Sequence, residues 1–124
     1  MSLSINIRQT NDVSIVDVGG RITLGEGATT LRDTLRAMPK DGHKRILLNL
    51  EEASYIDSSG LGVLVAAFAS IANQGGELKL LHLTKRVRDL LLITKLFTVF
   101  DVFEDEALAV RSFSTPGQPA TVHA

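Results

Sequence analysis

The chain has 124 residues, 44% hydrophobic and 22% charged, with a formal net charge of −1. That suffices for one domain with a real core and hardly for two, and it excludes the basic footprint of a nucleic-acid-binding protein. No cysteine is present, which excludes disulfides, thiolate metal sites and thiol nucleophiles. The opening MSLSINIRQT lacks the basic-then-apolar layout of a signal peptide. The longest weakly polar run, residues 61–72, falls short of the ~20 residues a membrane span needs. The expectation is a soluble cytoplasmic protein with no membrane span and no nucleic-acid partner.

Ile5 and Ile7 alternate with polar residues, Val13, Ile15, Val16 and Val18 follow, and Asn11-Asp12 is a turn signal between them, so the chain opens on a β-hairpin. Gly19-Gly20 breaks or bends the second strand. Ala28, Leu31, Leu35 and Met38 recur at helical spacing, and residues 39–42 stop that helix. RILLNL, residues 45–50, suits a strand buried on both faces in mid-sheet. Leu61, Leu64, Val65, Phe68, Ile71 and Ala72 mark one helix stripe, ended by Gly75-Gly76 in a left-handed turn. Residues 77–83 read as a strand. Thr84 can cap a third helix with the stripe Val87, Leu90, Leu91 and Leu96. Residues 99–103 read as a last strand, and Glu104, Asp105 and Glu106 favour a helix start. The order β-β-α-β-α-β-α-β-α predicts an α/β domain, mostly parallel after the hairpin, over residues 1–111. Residues 112–124, with two prolines and few apolar anchors, are expected to form a flexible tail.

Little of this looks catalytic. His43, His82 and His123 show no metal-ligand spacing, so no metal is expected. Triads assemble in space, so spacing does not decide against one, but no serine sits in a Gly-x-Ser-x-Gly elbow. Gly25-Glu26-Gly27 lacks both the P-loop ending and the third glycine of a dinucleotide fingerprint, and reads as a flexible lead into the first helix. Lys85, Arg86 and Arg88 form a basic cluster at a helix start, read as a solvated surface with a partner contact as the alternative. No cofactor is called for.

The informative segment is Asp57-Ser58-Ser59-Gly60-Leu61-Gly62, where strand becomes helix. Ser58 falls at or next to the N-cap, and its hydroxyl could simply accept a backbone N–H. Two adjacent hydroxyls exceed what a cap needs, however, and Gly60 and Gly62 each cost roughly 1 kcal/mol of helix propensity against alanine. Such glycines clear space around Ser58 for another protein. A phosphate there would add about −1.5 to −2 charge. The helix N-terminus favours that charge by about 1 kcal/mol and Asp57 opposes it, so the fold should survive. A partner that had to bury the new anion without a cation would lose several kcal/mol of affinity.

That segment, extended to Val63, resembles the signature of anti-sigma-factor antagonists in the STAS domain superfamily. VSIVDVGGRI, RILLNLEEASYIDSSGLGVLVAA, ANQGGELKLLHLTKRVRDLL and LFTVFDVFEDEALA follow in the family's order, over roughly residues 4–111. The resemblance implies a STAS fold, a mixed four- to five-stranded sheet with helices mainly on one face, and no enzymatic activity. It implies that Ser58 is phosphorylated by an anti-sigma factor that is a serine kinase, that the unphosphorylated chain binds this kinase and releases sigma factor, and that a serine phosphatase resets the switch. Asp57, Ser58, Ser59, Gly60, Leu61 and Gly62, with Thr23 and Glu26, are then the expected partner-binding residues. Many relatives carry Asp in a Gly-x-Leu/Ile-Asp pattern after the second strand, where this chain reads Gly20-Arg21-Ile22-Thr23. The alternative is a non-switching STAS scaffold, or an accessory subunit of a signalling or lipid-transport complex, in which Ser58 only caps a helix. A hydrolase using Ser58 is a third reading that lacks an evident base.

Overall fold

The structure is a computed structural model and describes residues 3–113. Its elements are β1 (Ser4–Thr10), β2 (Val13–Ile22), α1 (Glu26–Ala37), β3 (Arg45–Ile56), α2 (Ser58–Asn73), β4 (Glu77–Leu81), α3 (Lys85–Ile93), β5 (Val102–Phe103) and α4 (Glu106–Ser112). The five strands form one sheet in the order β1-β2-β3-β4-β5; β1 runs antiparallel to β2 and every other pair is parallel. Asn11 takes a positive φ of 56° in the hairpin turn, which asparagine tolerates better than most residues.

Three helices cover one face. Leu31 and Leu35 of α1, Leu61, Leu64 and Ile71 of α2, and Val87 and Leu91 of α3 pack on Val16, Val18, Ile46, Leu48, Leu50, Leu78 and Leu80. On the other face α4 brings Ala109 and Val110, followed by Phe113, onto Val13, Ile15, Leu47 and Leu81. β3 therefore feeds both cores, which accounts for its three consecutive apolar residues Ile46, Leu47 and Leu48. Each fully buried Leu or Ile contributes roughly 1.5–3 kcal/mol of transfer free energy, so the helix-covered face holds most of the stability.

The α4 side is also fastened by charge. Arg8 donates to Asp17 at 2.6 and 2.9 Å and to Glu106 at 3.1 and 3.2 Å, joining the hairpin to the first turn of α4. The Arg8 bonds are the main reason the Asp17 carboxyl is held below its ordinary range. Lys79 is 8% exposed, and its Nζ donates to the carbonyl and hydroxyl of Ser112, both at 2.9 Å. The same nitrogen lies 4.8 Å from the Phe113 ring centroid. α4 thus reaches Ser112 and Phe113 is buried, while residues 114–124, the rest of the expected tail, and with them His123, lie outside the described residues.

Two expectations need correction. β3 does not stop at residue 50 but continues to Ile56. The polar pair Glu51-Glu52 hides this in the sequence; the backbone still pairs with β2, whose register shifts around Gly19 and Gly20 to match Arg21 with Tyr55 and Ile22 with Ile56. Secondly, residues 99–103 are not one strand. Phe97–Val99 is a 3₁₀ turn, Phe100 is buried against Phe68 with ring centroids 5.3 Å apart, and only Val102 and Phe103 pair with β4. Leu96, expected on the third helix stripe, follows Lys95 at φ 63° and packs on the core from beyond the helix end. No helix among the described residues is long and apolar enough to cross a membrane.

Candidate functional site

β3 delivers the chain to Ile56, fully buried, and Asp57 leaves the strand still extended, at φ −111° and ψ −173°. Its Oδ1 accepts from the Gly60 N–H at 2.9 Å, and its Oδ2 accepts from the Leu24 N–H at 3.0 Å. Asp57 is therefore the N-cap of α2 and Ser58 stands next to it, the second of the two placements the sequence left open. A cap must keep non-helical dihedrals and reach the N–H three residues on, and here Ser58 has already entered the helix. The same carboxylate ties the loop between β2 and α1 to the start of α2.

These contacts hold the Asp57 carboxyl below its ordinary range, the Leu24 N–H contributing most and the Gly60 N–H next. A carboxyl with a lowered folded pKa stabilises the fold fully above its unfolded pKa, about 4, and loses that contribution as pH falls through the folded value. Asp57→Ala should cost about 2 kcal/mol, roughly one for the cap and one for the loop bond. Asp57→Asn, which keeps one acceptor oxygen, should cost less. Urea unfolding at neutral pH checks both, and the gap between wild type and Asp57→Asn should narrow below about pH 4.

The remaining motif residues divide by direction. Ser58 is exposed, and its hydroxyl has no hydrogen-bond partner among the described residues. Ser59 is half-buried. Gly60 is buried: a Cβ there would run into the carbonyl oxygen of Ile22 and would lie 2.8 Å from methyl or methylene carbons of Ile22 and Ile56. Leu61 is 6% exposed and belongs to the core. Gly62 is exposed, with open space where its Cβ would stand. Only Gly62 clears surface; Gly60 instead lets α2 start hard against the end of β2.

Ser59 and Gly62 face a groove of about 480 Å³ between α1 and α2, floored by Ala28, Leu35, Val63 and Ala67 and edged by Arg32 and Arg36. Leu24 stands at its mouth, 80% exposed. Thr23 and Glu26 flank Leu24 and Gly25 in the loop that Asp57 fastens, so the structure gathers all eight expected site residues on one end of the sheet. Thr23 is half-buried and its carbonyl accepts from the Ala28 N–H at 2.9 Å; Glu26 is exposed. Gly25 caps α1 at φ 103°, a conformation that favours glycine. Leu24 went unnoticed in the sequence; a leucine beside Gly25, outside every apolar stripe, was the available signal.

Elsewhere, Ser14 Oγ lies 3.2 Å from His43 Nδ1, but Ser14 is 1% exposed and its other contact is Gln9. That pair is structural filling at the opposite end of the strands. No group of three or more potential metal ligands occurs among the described residues. In the basic cluster, Lys85 pairs with Asp89 and Arg88 with Glu104, each at 2.7 Å.

Comparison with known proteins agrees with this architecture. The STAS domain family model matches residues 4–109. The chain is 33% identical over 102 residues to the anti-sigma-B factor antagonist of Bacillus subtilis (strain 168), covering 82% of this chain and 92% of that one. An anti-sigma factor antagonist from Mycobacterium paratuberculosis superposes with a TM-score of 0.79 at 19% identity, over 90% of this chain and 93% of that one. The Bacillus cell fate determinant SpoIIAA in its phosphorylated form superposes with a TM-score of 0.67 at 18% identity, over 87% and 98%. Family match, sequence relatives and fold converge: the chain belongs to the STAS domain family, as a homologue of the anti-sigma-factor antagonists.

Proposed function

We propose that this chain is an anti-sigma-factor antagonist switched by phosphorylation of Ser58. The observation that carries the reading is the Ser58 hydroxyl: exposed, in the first turn of a 16-residue helix, and free of the contacts that hold that helix in place. Asp57 and Gly60 fix the helix start, so Ser58 can change chemically without disturbing its support. The unmodified form binds an anti-sigma factor that is also a serine kinase, and sigma factor is released. The Thr23–Glu26 loop, Ser59 and Gly62 make the contact surface. The kinase transfers the γ-phosphoryl group of ATP to Ser58 Oγ, ADP leaves, and the complex dissociates; a serine phosphatase removes the group. The chain supplies the acceptor and the docking surface, and the partner supplies the catalysis.

The test is incubation with the cognate anti-sigma kinase and ATP. Ser58 should take up one phosphate, and Ser58→Ala should take up none. Since Asp57 does the capping, Ser58→Ala should stay within about 0.5 kcal/mol of wild type in stability, so loss of labelling cannot be ascribed to unfolding. Labelling at another residue, or none, would overturn the proposal.

A further inference from the structure

Tyr55, the last residue but one of β3, is half-buried, and two guanidinium groups lie against its ring. Arg21 Cζ is 4.7 Å from the ring centroid and Arg86 Cζ is 4.1 Å from it. The two cations are therefore no farther apart than the sum of those distances. Arg21 is the β2 register partner of Tyr55, and Arg86 comes from the first turn of α3, so three elements build the arrangement.

Its charge is not balanced from within. Both arginines are exposed, and neither forms an ion pair among the described residues, whereas Lys85 and Arg88 on either side of Arg86 each hold a carboxylate. Thr23, two residues beyond Arg21, is neutral, and the nearby Asp57 carboxylate is already engaged by Leu24 and Gly60. Arg86 also sits at the positive end of a helix dipole, where a cation is disfavoured. A cation–π contact uses none of a guanidinium's N–H groups on an oxygen acceptor, and those groups match a carboxylate in a bidentate fork. Holding the two forks on a ring also lowers the ordering cost of using them.

The geometry points to a carboxylate clamp: Arg21 and Arg86, held on Tyr55, receive an acidic segment of the protein that docks at the Ser58 end of the sheet. The assignment rests on reading that end as the partner surface, since Tyr55 lies three residues before Ser58. Two cations on a chain of net charge −1 do not make the basic stripe that nucleic acid requires, which favours a short acidic peptide segment.

The test is an NMR titration of the full isotope-labelled chain with a hexaglutamate peptide, with inorganic phosphate as a second probe. Saturable shifts should appear at the Arg21 and Arg86 Nε–H groups and the Tyr55 ring. R21A and R86A should each weaken peptide binding about tenfold while keeping the wild-type melting temperature, and R21K with R86K should not restore it. Shifts spread evenly over Arg36, Lys40 and Lys95, unchanged binding by R21A and R86A, or full displacement of the peptide by equimolar phosphate would each overturn the clamp. The titration is run on the unmodified chain with neither kinase nor ATP present, and the labelling assay needs no peptide. Failure of the clamp therefore leaves the Ser58 labelling result standing, and failure of labelling leaves the peptide result readable.

Discussion

Gly60→Ala should destabilise the fold by about 3 kcal/mol, while Gly62→Ala, two residues along the same helix, should be neutral or stabilising by up to about 1 kcal/mol. At position 60 the new methyl meets the backbone carbonyl of Ile22 and carbons of Ile22 and Ile56 that are themselves fully buried. A carbonyl within a paired strand cannot step aside, so the first turn of α2 must lift, straining both Asp57 bonds. At position 62 nothing stands within 4 Å of the added carbon, and alanine is simply the better helix former. Thermal melts of the two variants make the comparison directly: Gly60→Ala should lower the midpoint by more than about 10 °C. A Gly60→Ala protein that melts like wild type would show that α2 does not start hard against β2. Gly62→Ala should fold well and still bind its partner less tightly, because the methyl projects into the groove.

The second large effect is on binding. Ser58→Asp should fold with a midpoint close to wild type, yet bind the anti-sigma kinase at least about 100-fold more weakly. The helix N-terminus stabilises an anion at its first position by up to about 1 kcal/mol, and the neighbouring Asp57 offsets part of that. The chain itself is therefore nearly indifferent. The complex is not: an anion buried without a cation costs several kcal/mol, and each 1.4 kcal/mol is a factor of ten in affinity. Titration calorimetry with the kinase, beside a melt of the free variant, separates the two effects. Tight binding by Ser58→Asp would sink the charge mechanism while leaving phosphorylation itself to the labelling assay.

The order of elements was legible because period-2 and period-3.6 apolar patterns alternate cleanly up to residue 91. The ends of elements were not. Glu51-Glu52 looks like the end of a strand, yet backbone pairing with β2 carries β3 six residues past Leu50. Phe100 looks like a strand residue, yet its ring is used against Phe68. Within the motif, three consecutive polar residues could each cap the helix, and the choice of Asp57 depends on Ile56 being the last residue the strand buries. Gly60 and Gly62 are equivalent as letters; only the helix rotation turns one towards Ile22 and the other towards solvent. Arg21, Tyr55 and Arg86 are too far apart in the chain for any spacing to announce their contact. Lys79, a charge inside an apolar strand, finds its partner 33 residues away at Ser112.

β3 pairs with β4 only through Asn49, so from Leu50 to Ile56 it has a strand neighbour on one side alone, with α3 beside it on the other. β1 in turn pairs with β2 no further than Gly19, opposite Glu52, so from Ala53 to Ile56 the sheet is only two strands wide, about 13 Å of strand leading up to Ser58. A partner approaching Ser58 along the strand direction therefore meets the ends of β2 and β3 and the starts of α1 and α2, and neither edge strand stands in its way.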